Sequence, residues 1–240
     1  MLERYKEFTE TLAEFGITLS EEQIRQFDQY YQLLVEWNEK MNLTAITDFE
    51  EVWKKHFLDS LTMIFVHEIS EPVRMIDVGT GAGFPGIPLK IVFPQIELTL
   101  LDSLNKRITF LKEVVNTLGL TGVTALHGRS EELARDPAHR ESYDICVSRA
   151  VANLSTLSEY CLPFVKKGGV FISYKGSGYK EELASGRKAI GLLGGSIEQI
   201  MEFTIPHTDL GRTLILTKKA FATPKKFPRK AGTPAKEPLK

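Results

Sequence analysis

The segment Met75-Ile76-Asp77-Val78-Gly79-Thr80-Gly81-Ala82-Gly83-Phe84-Pro85-Gly86 constrains the fold more than any other part of the chain. The apolar run from Val73 to Val78 predicts a buried strand. Four glycines follow it within eight positions, and Pro85 opens a helical spacing through Ile87, Leu89 and Ile91. The pattern is a strand, a glycine turn and a helix start. Glycine accepts positive φ and lets a ligand approach the backbone. The helix start adds free N–H groups and a positive dipole end. A second apolar run, Ile96 to Leu101, ends in Asp102, and an acid there can accept hydrogen bonds from both ribose hydroxyls of a nucleoside. The segment therefore predicts a site for an adenosine-containing cofactor.

Two cofactor classes fit. Gly81-x-Gly83-x-x-Gly86, with Asp102 at a suitable distance, is a literal dinucleotide fingerprint. Asp77-x-Gly79-x-Gly81-x-Gly83 also resembles the first motif of S-adenosylmethionine-dependent methyltransferases, in which the backbone from Gly79 passes under the methionine part of the cofactor. A glycine-rich turn without a ligand is disfavoured by the coincidence of strand, glycines and acid.

The surrounding pattern separates the two. Leu2, Tyr5, Phe8, Leu12 and Phe15 follow a helical spacing that Gly16 stops. Ser20 and Gln23 form a capping box ahead of an apolar face of Ile24, Phe27, Tyr31, Leu34 and Val35. Trp37 and Met41 extend that face, and a further helix is predicted from Phe49 to Val66. From residue 73 the chain alternates strand and helix. Strands are predicted at 73–78, 96–101, 123–127, 143–148 and 169–174, with a clear helix over 105–118. Such alternation implies parallel strands with right-handed crossovers. The last strands, 196–204 and 212–217, flank Pro206-His207-Thr208-Asp209 and pair as an antiparallel hairpin. The expected architecture is α/β: the class I S-adenosylmethionine-dependent methyltransferase fold (Rossmann-like). Its seven-stranded sheet is mostly parallel, with an antiparallel C-terminal hairpin. A helical cap (1–69) precedes the methyltransferase domain (70–219), and a basic, Pro-rich tail (220–240) follows. A dehydrogenase usually needs a second substrate domain, for which 240 residues leave no length.

No apolar run reaches membrane-spanning length, and the first residues do not read as a signal peptide. Cys146 and Cys161 supply neither a disulfide framework nor metal-ligand spacing, and read as buried thiols of a cytoplasmic protein. The net charge of −1 hides an asymmetry: residues 1–72 carry 15 acids against 6 Lys or Arg. From Lys218 to Lys240 there are eight basic residues, one acid and four prolines. Such an end either follows a phosphate backbone or is simply solvated. Beside a nucleoside site, the nucleic-acid reading is favoured.

Ligands of such sheets bind beyond the strand carboxyl ends. After the third strand come Gly128-Arg129-Ser130-Glu131-Glu132, where a side chain and backbone N–H can read an adenine edge and Ser130 can cap the next helix. The fourth strand ends in Ser148-Arg149-Ala150. Arg149 is costly to bury unpaired; it binds an anion or the cofactor's methionine end, or pairs with Asp77 or Asp144. Nothing there resembles the Asn-Pro-Pro-Tyr of exocyclic-amine methyltransferases, and neither cysteine is placed as a nucleophile. A target with its own lone pair remains. Guanine N7 needs no general base, so no catalytic acid or base is expected. For His56 and Asp59 a structural role is favoured, as are a core position for Trp37 and capping by Asn42 or Thr44.

Together these segments resemble one family, the bacterial ribosomal RNA small-subunit methyltransferase G, also called glucose-inhibited division protein B. The resemblance rests on 37–46, 56–61, Asp77 to Pro88, Leu101-Asp102-Ser103 with Lys106-Arg107, Gly128 to Glu131, Ser148-Arg149-Ala150, Lys175-Gly176, and Phe227-Pro228-Arg229-Lys230 with Gly232 and Pro234. It implies methylation of guanine N7 in small-subunit ribosomal RNA, with S-adenosylmethionine as cofactor. RNA or an assembling subunit is the expected partner, with no membrane and no metal, and a monomer is the expected state. It puts Gly79, Phe84, Ser130, Glu131 and Arg149 around the cofactor, beside Gly81, Gly83, Asp102 and Ser103. Ser130 departs from the family's frequent alanine, which implies contact through the backbone. Lys106, Arg107, Lys175, Lys225, Lys226, Arg229 and Lys230 are the expected RNA contacts, with Phe227 available to stack on a base. An NAD-linked oxidoreductase and a non-catalytic RNA-binding protein are the competing readings.

Overall fold

Among the described residues, which in this computed structural model are all but Met1 and Ala150, seven strands form one sheet. They are β1 Arg74–Val78, β2 Glu97–Asp102, β3 Val123–His127, β4 Tyr143–Arg149, β5 Val165–Gly176, β6 Gly195–Thr204 and β7 Gly211–Lys219. Their order is β3-β2-β1-β4-β5-β7-β6. β1 to β5 are parallel, and β7 runs antiparallel to both β5 and β6. This is the class I methyltransferase sheet. Its strand order reverses between β1 and β4, so a crevice opens at their carboxyl ends.

The sheet is buried on both faces because its strands alternate apolar residues to each side. Met75, Leu98, Leu100, Val147 and Ile172 pack on one face with the N-terminal helices α1 (Lys6–Glu14) and α2 (Glu21–Met41), and with α5 (Gly86–Val92) and α6 (Asn105–Thr117). Ile76, Val78, Leu101, Cys146 and Phe171 face α8 (Leu154–Cys161) and α9 (Tyr179–Leu192) on the other. The first 69 residues thus share a core with the sheet. Both cysteines are buried and free.

The Ser20 capping box forms, with Gln23 N–H donating to Ser20 Oγ and the Gln23 side chain accepting from Ser20 N–H. The helix expected over 49–66 is realised in pieces: α3 (Phe49–Val52), a π turn (Trp53–Leu58), α4 (Asp59–Leu61) and a 3-10 turn (Thr62–Phe65). A π turn shifts the side chains that follow and recurs at functional sites; here it carries Lys55 and His56 and hands over to Asp59.

The greatest departure from expectation is at the end. Residues 220–240 do not trail into solvent. They pack across α7 (Ser130–Leu133) and α8 and finish in a short helix, α10 (Thr233–Lys236). Phe227 is 5 % exposed, which removes it as a stacking platform for a base.

Candidate functional site

β1 ends in the glycine turn. Gly79, Gly81 and Gly83 have φ of +72°, +62° and +100°, a region that costs any residue with a Cβ. They serve different ends. A Cβ on Gly81 would meet nothing within 4 Å, so that glycine faces open space. A Cβ on Gly79 would lie 2.5 Å from Val151 of the loop after β4. At Gly83 it would meet Tyr30 Oη at 2.6 Å and Ile87 at 2.8 Å, so Gly83 is required by internal packing rather than by a ligand. Phe84, expected at the cofactor, is buried between Tyr30 and the stacked His56 ring, with centroids 5.4 and 4.7 Å away.

Beneath the turn lies Asp77. Its Oδ2 accepts from Thr80 Oγ1 at 2.6 Å and from Gly86 N–H at 2.9 Å. Among the described residues its Oδ1 is buried with no partner. Burial raises this carboxyl to about 6, against the two hydrogen bonds. A buried anionic oxygen under an open glycine backbone fits a ligand that carries cationic groups.

A cavity of about 220 Å³ continues from the turn, lined by Gly79, Asp102, Ser103, Gly128 to Glu131, Val151 and Tyr160. Asp102 is 2 % exposed. Its oxygens accept from Gly81 N–H and Leu104 N–H, both at 2.9 Å, and from Arg107 Nη1 at 3.1 Å. A carboxylate offers about four acceptor sites, so Asp102 keeps capacity for a hydroxyl. The Arg107 guanidinium, an expected RNA contact, is tied to this buried acid. Ser130 does not cap α7, since the N-cap is Arg129; its hydroxyl donates to Glu131 Oε2 at 3.3 Å.

A second cavity, about 630 Å³, opens across the end of β4, lined by Ile46, Lys55, His56, Asp59, Arg149, Tyr174, Lys175, Gly176, Leu210 and Arg212. Arg149 pairs with neither Asp77 nor Asp144. Its partner is Asp59, at 2.7 Å, whose other oxygen holds Arg212 at 3.2 Å. Asp144 sits at the opposite end of β4, bonded to Lys166 and to Arg74 N–H. Arg149 therefore lines the second cavity, with its guanidinium 5.1 Å from the Phe84 ring. His56 bonds Thr44 Oγ1 at 2.8 Å; burial, then the nearby Arg149 charge, lowers it to about 3, so it is neutral. Among the described residues there is no cluster of three or more potential metal ligands, and no helix long and apolar enough to cross a membrane.

Residues 23–210 match the sequence profile described as rRNA small subunit methyltransferase G. The chain belongs to the rRNA small subunit methyltransferase G family. Proteins of that name from Oceanobacillus iheyensis and Alkaliphilus metalliredigens are 53 % and 55 % identical to it, over 98 % and 95 % of both chains respectively. Among solved structures, a chain of the complex between the Haloferax volcanii Trm112 methyltransferase activator and a methyltransferase superposes with a TM-score of 0.58 at 14 % identity, covering 78 % of this chain and 98 % of that one. M. jannaschii TYW2 in complex with AdoMet gives 0.51 at 14 %, covering 67 % and 74 %. At such identities these likenesses speak for the fold.

In this member of the family the basic residues expected to meet RNA divide. Lys225, Lys226 and Lys230 are exposed, as is Lys106. Arg229 is instead bound to Glu159 of α8 at 2.7 Å, and Lys175 to Glu182 at 2.9 Å and to the Ala152 carbonyl at 2.7 Å. Arg229 is held by a buried partner 70 positions away, which its local sequence does not reveal, and Lys175 by a half-buried one in the next helix, seven positions on. The sequence reading also missed Tyr30, Tyr160, Val151 and Arg212. Tyr30 Oη donates to the Ala82 carbonyl at 2.5 Å and so fastens α2 to the glycine turn. Arg212 had one local signal, a charge at the start of the apolar run Leu214 to Leu216.

Proposed function

We propose that the chain transfers a methyl group from S-adenosylmethionine to N7 of a guanine in small-subunit ribosomal RNA, acting in the cytoplasm as a single chain on RNA or an assembling subunit. The observation that carries this reading is the open glycine turn over a buried, unpartnered carboxylate oxygen, in a chain of this family. The bound cofactor supplies an electrophilic methyl group on a positively charged sulfur. Gly79 and Gly81 let it approach the backbone, Asp102 accepts from the ribose hydroxyls, and Ser103, Ser130 and Glu131 enclose the nucleoside. Above about pH 6 the ionised Asp77 favours the cofactor's positive charge.

Guanine N7 is a bare acceptor, so no side chain has to remove a proton. The work left to the protein is to align the nitrogen with the methyl carbon and to exclude water. The second cavity takes the base: Ile46, Leu210 and Tyr174 offer apolar wall, and Arg149 and Arg212 offer N–H donors that suit O6. Exposed Lys106, Lys225, Lys226 and Lys230 supply phosphate contacts, which make binding salt-dependent.

Incubation with labelled methyl donor and small-subunit RNA, followed by nucleoside mapping, tests the assignment. Label is expected in 7-methylguanosine. Label at an exocyclic nitrogen or a ribose oxygen would change the target atom, and calorimetry showing binding of NAD but not S-adenosylmethionine would change the enzyme class. Above about pH 6, where Asp77 is ionised, the single-turnover rate should be flat to about pH 8.5, because no general base ionises along the way.

A further inference from the structure

Glu131 lines the cofactor cavity, is 3 % exposed, and is held by a donor 101 positions later in the chain. Gly232 N–H donates to its Oε1 at 2.8 Å, and Gly232 sits at φ +83°, the turn that starts α10. The helix that bears Glu131 needs such support. α7 has four residues and its N-cap, Arg129, makes no side-chain capping bond. A four-residue helix has little stability of its own, so the wall of the cavity is fixed from behind.

The segment that supplies Gly232 is itself tightly fastened. Arg229 makes Nε and Nη2 bonds of 3.0 and 2.7 Å to the Glu159 carboxylate, and its backbone N–H adds a third at 2.7 Å. The Glu159 side chain is 1 % exposed. Arg135 donates to the Pro228 carbonyl at 2.5 Å, and Arg140 to those of Thr223 and Phe227 at 2.8 and 2.9 Å. Thr156 Oγ1 closes the far end on the Pro234 carbonyl at 3.0 Å.

We infer that the C-terminal segment is a strut of the cofactor pocket: the Gly232 N–H positions Glu131, and with it the Ser130–Glu131 wall. The inference rests on the cofactor reading above and extends it to residues that composition assigns to RNA. A buried carboxylate that loses its donor takes up another arrangement to recover one. The pocket must then be re-formed when ligand binds, and affinity falls by the population of the competent state. Gly232 is thus a positioning residue that touches no substrate.

Calorimetry with S-adenosylhomocysteine, which cannot react, tests this on four proteins: the full chain, a chain ending at Lys230, full-length Glu131→Gln, and the two changes combined. Ending at Lys230 removes Gly232 but keeps Lys225, Lys226, the Arg229–Glu159 pair and Lys230. About tenfold weaker binding is expected from the shortened chain, the scale of one lost charge-assisted hydrogen bond. The combined protein should bind no more weakly than the worse single change, because both alter one contact. Unchanged affinity in the shortened chain, or losses that simply add, would overturn the strut. If the shortened chain does not melt cooperatively, hydrogen exchange on the full chain decides. Cofactor should then slow exchange over 230–237 as well as over 129–134, and protection confined to 129–134 would overturn the inference. A full chain that fails to bind S-adenosylhomocysteine removes the cofactor reading itself, whereas full binding that ignores the truncation removes only the strut.

Discussion

The acid-rich N-terminal helices and the basic C-terminal segment brace loops at the strand carboxyl ends from opposite faces of the sheet, by different physics. The N-terminal helices are held by rings: Phe27 and Tyr30 lie 5.0 and 5.5 Å from Phe57, and Tyr30 lies 5.4 Å from Phe84 in the glycine turn. Apart from Asp28, which is buried and paired with Arg4, their acids face outward and contribute little to this attachment. The C-terminal segment buries Phe227 and makes neutral bonds from α8 to Pro234 and Leu239, but it also hangs on charge-assisted hydrogen bonds, Arg229 to Glu159 and Gly232 N–H to Glu131. Apolar packing tolerates imperfect geometry and depends on volume. A buried ion pair depends on both partners and becomes a liability when one is lost. The two regions should therefore fail differently.

The largest effect is expected in the aromatic region. Phe57→Ala empties a fully buried ring site and should cost about 3–5 kcal/mol of folding stability, measured by urea unfolding. A loss below about 1 kcal/mol would mean that the N-terminal helices are not held by this cluster. Arg229→Met should cost roughly 3 kcal/mol by leaving Glu159 buried and unpaired, and adding Glu159→Leu should restore most of it. No recovery in the double variant would show that the C-terminal segment, too, is held by packing.

Between the two regions lies the first cavity, proposed above for the cofactor, where Asp102→Ala should weaken S-adenosylmethionine binding by roughly ten- to a hundredfold. Calorimetry reads this directly, and an unchanged dissociation constant would leave Asp102 as a turn clamp for Gly81, Leu104 and Arg107 only.

The most gradual effects are in pH dependence, spread over two or more pH units, and they separate the regions once more. His56, lowered to about 3 by burial and then by Arg149, contributes stability above its ordinary 6.5 and loses it as the pH falls toward 3. Asp77, raised to about 6 by burial, contributes fully below its ordinary 3.8, and that contribution is lost as pH rises through 6. The two slopes oppose each other between about pH 4 and 6. Stability of Asp77→Asn relative to the parent should therefore rise by up to about 1.4 kcal/mol per pH unit across that range. At the root of the C-terminal segment, burial lowers Lys219 to about 8 from 10.5. The parent should gain on Lys219→Met between those values as the pH rises. Flat differences in both variants would erase this part of the comparison.

What was legible in the sequence was whatever depends on spacing along the chain. Strand–helix alternation, the Ser20 capping box, the three positive-φ glycines and the acid ending β2 all stand where the local pattern put them. The roles of charged residues were not legible in the same way. A basic, Pro-rich end suggested a solvated or RNA-following tail, yet composition counts charges without saying what neutralises them. Arg229 meets a glutamate 70 positions earlier, and Arg149 an aspartate 90 positions earlier. Ser130 stood one position too far along to cap α7, a shift that only the backbone path after β3 determines.

The sequence by itself therefore determined the class of sheet, the glycine turn and the acid that ends β2, because strand alternation, positive φ and helix starts follow from local steric and hydrogen-bonding preferences. Only the tertiary structure decided that Tyr30 anchors the turn, that Asp59 joins Arg149 to Arg212, and that the last residues stand behind Glu131. The reason is that burial and pairing belong to three-dimensional neighbours: a charge is free or held according to what the fold brings beside it, across separations that no local pattern records.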